Sequence, residues 1–367
     1  MSRKDSVFEE AISRGIEGNI SNYESWLSDR GLDVERATEE HSTQFFRDNP
    51  DLTSGLDEEV SVIGEYIGYI LRNEENAHLA VKGVQGSGKT QLYYLLDSLL
   101  TNYDREIDLK YINADSFQRI DTGSNVKELV EEVPVENEKV VFIDDAWKDK
   151  KIAGHSLEYL RSELEQSLVI TVWTPEKWHK NVESVNSVLP ASEVVNVKPR
   201  SENQVTDITE HLVSSMAPSL DLELDTFSKQ VYRYSFGIPG IAISLIENSL
   251  RQSYRNGFDI FSTKSVEAAA EKKNLPGIRG ELRDISSTKK KVLENILMSQ
   301  DERGSTTQTL SKSLKKDNST VSYHLKDLES KRLISGEKYG RNVFYSVKKC
   351  VKPMLQLQLE GEYQYYE

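Results

Sequence analysis

The chain has 367 residues, enough for two or three domains with a buried core, and a formal net charge of −14. Its 37% hydrophobic and 29% charged content exclude a disordered chain. A single cysteine excludes an internal disulfide framework and favours a reducing, cytoplasmic location. Without a run near 18 apolar residues, no membrane span is expected, and residues 1–15 carry acids where a signal peptide would be purely apolar.

Composition divides the chain into six predicted regions. They are a mostly helical N-terminal region (1–75, with Phe8, Ile12 and Trp26), an α/β core (76–200), a helical region (201–273), a linker (274–285, from the breaker cluster at 274–277), a basic module (286–352) and a tail (353–367). A protein partner or self-association through the N-terminal region or the tail is left open.

The α/β core alternates short apolar runs with helical stretches, which is typical of a parallel sheet with crossover helices. Its predicted strands are residues 78–83, 109–113, 139–144, 168–173 and 194–197.

The first strand leads into residues 83–90, GVQGSGKT, which fit G-x-x-x-x-G-K-[ST] in full. Glycines let the backbone N–H groups surround a phosphate, and the helix predicted at 91–100 adds its positive N-terminal end. Lys89 is expected to reach the β and γ phosphates of ATP, and Thr90 to hold Mg²⁺. The alternative is a glycine-rich turn that matches by chance. The predicted nucleotide-binding residues here are Gly83, Gln85, Gly86, Ser87, Gly88, Lys89, Thr90 and Gln91.

Residues 139–147, KVVFIDDAW, predict a buried parallel strand that ends in acids at the ligand-binding edge of the sheet. Asp144 is expected to bind Mg²⁺ through water. Asp145 is expected to polarise the attacking water, or to hold the site together if hydrolysis is slow. The alternative is a core strand followed by a polar turn.

The run at 167–174, SLVITVWT, places a hydroxyl at the tip of a neighbouring strand. Thr174 is our candidate for sensing the γ-phosphate or positioning the water, and Thr171 is the second choice. The alternative is a threonine that is present because it suits strands.

These motifs resemble the core of AAA+ or STAND-type P-loop ATPases over about residues 50–273. Residues 111–114, YINA, resemble archaeal origin-recognition and replication-initiator ATPases, whereas residues 144–147, DDAW, resemble the DD-x-W motif of STAND ATPases. Residues 237–240, GIPG, resemble the glycine–proline turn of the helical lid in both groups. The resemblance implies that residues 201–273 are a lid that clamps the nucleotide, with Pro239 in the nucleotide site.

Two arginines of the AAA+ pattern are missing. Gly240 follows the lid proline, where initiators usually carry an arginine, and residues 175–199 hold no clear arginine finger, Arg200 being a poor candidate. Such arginines stabilise transition-state charge. Hydrolysis is therefore expected to be slow, or the nucleotide to act mainly as a switch.

The charge is distributed unevenly. Residues 286–352 carry 15 basic and 7 acidic residues, a net charge of +8, which leaves −22 on the rest of the chain. This asymmetry suggests a polyanion-binding end, and a solvated lysine-rich surface is the alternative on charge alone.

Apolar spacing in this module predicts three helices and then two strands around a basic turn at 338–342, with Asn318 or Ser319 capping the third helix. The order resembles a winged helix-turn-helix domain, most closely over residues 309–334, and implies double-stranded DNA as a partner. A winged helix used for protein contacts is the alternative. The predicted DNA contacts are Ser319, Thr320, Ser322, Tyr323 and Lys326 on the helix and Lys338 and Arg341 on the wing.

The tail alternates Leu355, Leu357 and Leu359, which predicts an edge strand on the winged domain that would allow self-association. The histidines show no metal-ligand spacing.

The favoured function is an ATP-binding, slowly hydrolysing DNA-binding protein resembling a replication initiator, in which nucleotide state controls DNA binding or partner recruitment. A STAND-like nucleotide switch in signalling or transcription regulation is the alternative. The DD-x-W match and the missing arginines favour it, and the lack of a long repeat sensor disfavours it. A DNA-binding regulator with a degenerate core is disfavoured by the intact P-loop.

Overall fold

The structure, a computed structural model, describes the residues 22–37, 39–73, 75–103, 107–113, 138–146, 157, 166–299 and 303–361. The features predicted at Phe8, Ile12, Ala114 and Trp147 lie outside these residues. The helices are α1 (Glu39–Asp48), α2 (Asp57–Asn73), α3 (Lys89–Thr101), α4 (Pro175–Val188), α5 (Glu202–Met216), α6 (Asp225–Ser235), α7 (Pro239–Asn256), α8 (Thr263–Lys272), α9 (Leu275–Arg283), α10 (Ser287–Leu297), α11 (Thr307–Leu314), α12 (Asn318–Ser330) and α13 (Lys352–Leu359), with a helical stretch at 22–29. The strands are β1 (Ala77–Gly83), β2 (Ile107–Asn113), β3 (Glu138–Asp144), β4 (Ser167–Trp173), β5 (Glu193–Val197), β6 (Ser305–Thr306), β7 (Ile334–Tyr339) and β8 (Asn342–Val347).

The chain divides into two compact units. The first consists of residues 1–54 and 200–272, and the second of residues 55–199 and 273–367. Within the first unit, the N-terminal segment packs on helices α5 and α7: the Asp33 N–H donates to Met216 O at 2.8 Å, and the Tyr23 ring meets Tyr254 edge-on at 5.2 Å. The predicted N-terminal region therefore contributes to both units, because α2 belongs to the second.

The second unit is built on a five-stranded sheet with the order β2-β3-β4-β1-β5, and every pair is parallel. Val81 of β1 lies opposite Val172 of β4 and Val195 of β5. The α/β class and the parallel sheet predicted from the sequence are confirmed. Because β1 lies inside the sheet, the loop that follows it opens in the middle of the carboxyl edge, where open parallel sheets bind ligands.

The sheet is covered on both faces, which explains why its strands read as continuous apolar runs. Leu79 and Val81 of β1 pack on the face covered by α2 and α3, and Ala80 packs on the face covered by Trp178 of α4. His78 joins that second face through its ring nitrogens: Nδ1 lies 2.8 Å from Leu189 O and Nε2 lies 2.8 Å from Thr171 Oγ1. This buried polar network ties β1 to β4.

The C-terminal part of the second unit contains α10–α12 and an antiparallel sheet with the order β6-β8-β7. We call residues 286–352 the C-terminal module. Its core includes Val292, Leu310, Val321 and Leu325 at 0–1% exposure. Burial at 321, 325 and 328 follows the predicted helical spacing.

The cap of α12 differs from the prediction. Asp317, rather than Asn318 or Ser319, is the N-cap, and its carboxylate accepts the Thr320 N–H at 2.7 Å. The Ser319 and Thr320 hydroxyls also donate to this carboxylate. These hydrogen bonds, the one from Ser319 first, hold the pKa of Asp317 well below its usual range. Asp317 is a more stabilising cap than a neutral side chain, because its negative charge at the helix N-terminus also interacts favourably with the helix dipole.

Helix α9 occupies the segment predicted to be a linker. Pro276 lies in the first turn, where proline is tolerated because its missing N–H has no helical partner. Leu275, Ile278 and Leu282 form a buried apolar face. The Pro-Gly pair therefore lies in the first turn of a helix, and residues 275–283 of the predicted linker are helical.

The tail also differs from the prediction: Leu355, Leu357 and Leu359 lie on helix α13 and not on an edge strand. Residues 353–357 are all buried, so helix and strand patterns cannot be distinguished by alternation. Pro353 in the first turn fits a helix start.

Among the described residues, no helix is long and apolar enough to cross a membrane. In the same part of the chain, no cluster of three or more His, Cys, Asp or Glu side chains is arranged to hold a metal ion.

Candidate functional site

The loop between β1 and α3 has the backbone that its glycines allow. Gly86 and Gly88 adopt φ values of 82° and 96°, in the left-handed region. A Cβ at Gly83 would lie 2.6 Å from Ser87 Oγ and 3.0 Å from Val197 Cβ, so the loop passes too close to β5 for any side chain. The loop therefore turns tightly, and the N-terminus of α3, capped by Gly88, lies at the carboxyl edge of the sheet.

Lys89 is buried at the start of α3. Its Nζ donates to Gly83 O and to Val84 O, each at 2.8 Å, and so holds the loop around itself. Burial lowers the pKa of Lys89 to about 8, although Asp144, Asp145 and Glu176 favour the charged form. The ammonium group therefore lies within the field of three carboxylates.

Thr90 and Asp144 meet at the centre of this edge. The Thr90 hydroxyl donates to Asp144 Oδ2 at 2.6 Å, and the Tyr111 hydroxyl donates to the same oxygen at 3.0 Å. Burial, then the charge of Asp144, raises the pKa of Tyr111 above its usual range, so its proton stays available for this bond. The predicted metal residues are thus placed side by side, and Tyr111 orients the carboxylate.

A hydroxyl and a carboxylate 2.6 Å apart suit Mg²⁺, which prefers oxygen ligands and keeps most of its remaining positions for water and phosphate. Thr90 and Asp144 are therefore the residues that would hold it. One carboxylate is enough for such a site because the phosphates supply further oxygens.

Asp145 adopts φ 50°, in the left-handed region, and its N–H donates to Asp144 Oδ1 at 2.9 Å. This turn fixes the carboxylate of Asp144 from a second side. A strained residue held in this way directly after a strand is often found at functional sites.

Thr174 lies at the tip of β4, and its hydroxyl donates to Glu176 Oε1 at 2.8 Å. Both side chains are buried, at 9% and 4% exposure. Thr171, the second choice, lies in the middle of β4 and bonds to His78 and to Trp173 Nε1. Thr174 is therefore at the edge of the sheet, and Thr171 is part of the core.

Gln356 reaches this site from α13. Its Oε1 accepts the Gln85 N–H at 2.8 Å, and its Nε2 donates to Glu176 Oε2 at 3.0 Å. A chain of hydrogen bonds thus connects Thr174, Glu176, Gln356 and the P-loop.

Sequence reasoning assigned no role to Glu176, Gln356 or Tyr111. Glu176 follows the end of β4 by three residues, and that spacing could have signalled it. Gln356 lies 271 residues from Gln85, and no local pattern marks it. Tyr111 stands out in the sequence only as part of residues 111–114, which resemble a family motif.

Three predicted or considered residues lie in the first unit. Pro239 begins α7 and Gly240 is exposed beside it. Arg200 is 3% exposed, and its N–H donates to Gly237 O at 2.7 Å. A buried arginine in this position does not project from the surface as an arginine finger does.

The comparisons with known proteins agree with this fold. No protein-family model matches the chain, and no curated protein sequence matches it. Among solved structures, the Aeropyrum pernix ORC1 protein in complex with DNA is 15% identical, with a TM-score of 0.52, covering 88% of this chain and 95% of its own. The Aeropyrum pernix ORC2 protein in ADPNP and ADP complexes is 14% identical (TM-score 0.47, 83% and 94% covered), and the Thermotoga maritima RuvB branch migration motor is 17% identical (0.46, 83% and 95%).

The chain has the fold of the Aeropyrum pernix ORC1 protein. The likeness to the ORC1 protein extends over most of both chains, and so it confirms the fold expected from the P-loop and the strand that ends in Asp144-Asp145.

The residues predicted to contact DNA lie on the surface of the C-terminal module. Tyr323 is 67% exposed, and Lys326, Lys338 and Arg341 are exposed as well. Ser322 is half-buried. The third helix and the β7–β8 turn therefore present basic and aromatic groups to solvent, whereas the Ser319 and Thr320 hydroxyls are engaged by Asp317.

Proposed function

We propose that this chain binds ATP with Mg²⁺ at the P-loop, hydrolyses it slowly, and binds double-stranded DNA through its C-terminal module in the manner of a winged helix. The observation that carries the proposal is the pair of Thr90 and Asp144, 2.6 Å apart behind a complete P-loop. The role we infer is that of a replication-initiator-like protein in which the nucleotide controls DNA binding or partner recruitment.

In this proposal, the loop N–H groups from Gln85 to Lys89 bind the phosphates, and the Lys89 ammonium leaves its two loop carbonyls to contact the β and γ oxygens. Thr90 would hold Mg²⁺ directly and Asp144 would hold it through water, and the cation would offset the negative charge of the phosphates. Asp145 and Thr174 are the candidates for orienting the attacking water, and Glu176 holds Thr174 in place. Pro239 remains a proposed part of the nucleotide site.

Slow hydrolysis follows from the charges available. Gly240 carries no side chain where an arginine is usual in initiators, and Arg200 is buried. Transition-state charge would then be offset mainly by Lys89 and Mg²⁺, without the large rate gain that an arginine finger gives.

The DNA part of the proposal is supported by the +8 charge of the C-terminal module and by the exposure of Tyr323, Lys326, Lys338 and Arg341. The ORC1 structure with a similar fold contains DNA. Helix α12 would enter the major groove, and the β7–β8 turn would contact phosphates.

The test is a titration of duplex DNA with the full chain in ATP, in ADP and without nucleotide, at two salt concentrations, beside Lys89→Ala. We expect affinity to depend on nucleotide in the wild type only, and to fall steeply with salt. An affinity for duplex DNA that depends neither on the nucleotide nor on the salt concentration would contradict the proposal. Nucleotide binding without DNA binding would favour the STAND-like switch.

A further inference from the structure

The C-terminal helix α13 places one side chain directly on the P-loop. Gln356 is 1% exposed, so its two hydrogen bonds, to the Gln85 N–H and to Glu176 Oε2, are shielded from water. A buried amide that lost either partner would leave an unsatisfied polar group, which is costly. Gln356 therefore holds α13 in one position against the loop.

A second contact anchors the end of the same helix. Glu360 pairs with Lys82 of β1, and both side chains are only 12% exposed. The other Glu360 oxygen lies 2.9 Å from His179 Nε2 on α4. The helix is thus attached to the strand that leads into the P-loop and to the helix that follows β4.

Helix α13 also packs against α10 of the C-terminal module, while it contacts α4 of the α/β core. Its residues from Pro353 to Leu357 are buried between these neighbours. A change in the position of α13 would therefore alter contacts with both the P-loop region and the C-terminal module.

Phosphates bind a P-loop through its backbone N–H groups, and Gln356 Oε1 already uses one of them, that of Gln85. A phosphate oxygen that approached this N–H would replace the amide oxygen. Its negative charge would also lie near Glu176, the other partner of Gln356, and like charges repel. A bound triphosphate and the docked α13 therefore disfavour each other.

We propose that α13 is an autoinhibitory helix, held on the P-loop by Gln356, which ATP binding displaces. The proposal rests on the proposed function, because it takes ATP as the ligand of the P-loop. Coupling between two binding equilibria is reciprocal: docked α13 weakens ATP binding by the same factor by which ATP weakens docking. A change that undocks α13 therefore strengthens ATP binding by up to that factor. Displacement of α13 then alters its packing on α10, and the nucleotide state reaches the C-terminal module by this route.

The test compares ATP affinity in four full-length proteins: the wild type, Gln356→Ala, Glu360→Gln and Gln358→Ala. We expect Gln356→Ala to bind ATP about five-fold more tightly or better, within the usual range of allosteric coupling. Glu360→Gln, which loses the ion pair with Lys82, changes affinity in the same direction. Gln358→Ala is the matched control, since Gln358 Nε2 lies 3.4 Å from Leu282 O on α9 and its hydrogen bond is not with the P-loop.

Docking of α13 is measured separately by amide hydrogen exchange over residues 352–359. ATP is expected to raise exchange in the wild type, and Gln356→Ala to raise it without ATP. Cys350, the single cysteine of the chain, lies two residues before this helix, so its rate of modification by a thiol reagent gives a second readout without further substitutions.

Each outcome decides between the two proposals. If the wild type binds ATP, Lys89→Ala does not, and Gln356→Ala binds ATP equally or more weakly, the autoinhibitory helix is wrong and the proposed function stands. If the wild type binds no ATP and exchange over 352–359 never responds to it, both are wrong. Melting curves of the variants establish that each is folded.

Discussion

The Thr90 hydroxyl donates to Asp144 Oδ2 at 2.6 Å, although the two residues are 54 positions apart in the chain. This contact brings the end of β3 to the start of α3 and determines where a cation would be held. It is also the contact that single substitutions test most directly.

Thr90→Ala is expected to weaken Mg²⁺ binding in the presence of ATP by about ten-fold, because one oxygen ligand is lost and Asp144 loses a hydrogen bond donor. Thr90→Ser keeps the hydroxyl and is the matched control. The measurement is a Mg²⁺ titration of ATP hydrolysis. Equal Mg²⁺ dependence in Thr90→Ala and Thr90→Ser would contradict the assignment.

Lys89→Ala is expected to weaken ATP binding by about 10- to 100-fold, which corresponds to the loss of a hydrogen bond to a charged group. Lys89→Arg keeps the charge but not the shape, and burial at 8% exposure leaves little space for a guanidinium. Calorimetric titration with ATP measures both. ATP affinity that is equal in the wild type and Lys89→Ala would exclude the P-loop as the binding site.

The pKa of Lys89, lowered to about 8 by burial, predicts proton uptake when ATP binds. Phosphate favours the ammonium form and raises this pKa, so above pH 8 a proton must be taken up on binding. ATP affinity should therefore decrease as the pH rises from 7.5 to 9. Calorimetry at pH 8.5 in two buffers of different ionisation enthalpy measures the uptake, and a binding enthalpy that is independent of buffer would contradict it.

His78 predicts a loss of stability in mild acid. Burial lowers its pKa to about 4, opposed by hydrogen bonds to the backbone. Between pH 6.5 and 4, the unfolded chain binds a proton at this residue and the folded chain does not, so the free energy of unfolding falls by up to about 3 kcal/mol as the pH decreases. His78→Gln keeps polar atoms but does not titrate. Melting temperatures between pH 7 and 4 should therefore fall less steeply in the variant than in the wild type, and parallel curves would refute the assignment.

The exposed basic groups of the C-terminal module predict a graded loss of DNA binding. Lys326→Ala, Lys338→Ala and Arg341→Ala should each reduce the slope of log affinity against log salt by about one, if each contacts a phosphate. Lys264→Ala, at an exposed position on α8 of the first unit, serves as a control for loss of one positive charge. Fluorescence anisotropy with duplex DNA at several salt concentrations measures the slope. An unchanged slope in all three module variants would show that these residues do not contact DNA phosphates.

The sequence was most informative where chemistry is encoded locally. The P-loop glycines, the apolar run that ends in Asp144 and the hydroxyl at Thr174 each combine a motif with a strand end, and the five predicted strands agree with β1–β5 within two residues. Such signals are read within about ten residues because backbone geometry and ligand chemistry coincide there.

The rest could not be predicted because it depends on tertiary contacts. Alternating leucines at 355, 357 and 359 were assigned to a strand, but a helix buried on all sides shows no preferred period. The Pro-Gly pair at 276–277 was interpreted as a break, although proline suits a helix start equally well. Gln356 has no recognisable motif, and only the fold brings it to Gln85.

The cap of α12 has a consequence for how DNA would be recognised. Asp317 binds both the Ser319 and the Thr320 hydroxyl, so two of the five predicted helix contacts are engaged within the protein. Ser322, Tyr323 and Lys326 remain as candidates for base contacts. None of them carries the amide that makes a bidentate contact with adenine or the guanidinium that makes one with guanine. Lys326, whose ammonium can donate to guanine O6 and N7, would then carry most of the direct base recognition, and the remaining affinity would come from phosphate contacts that do not depend on sequence.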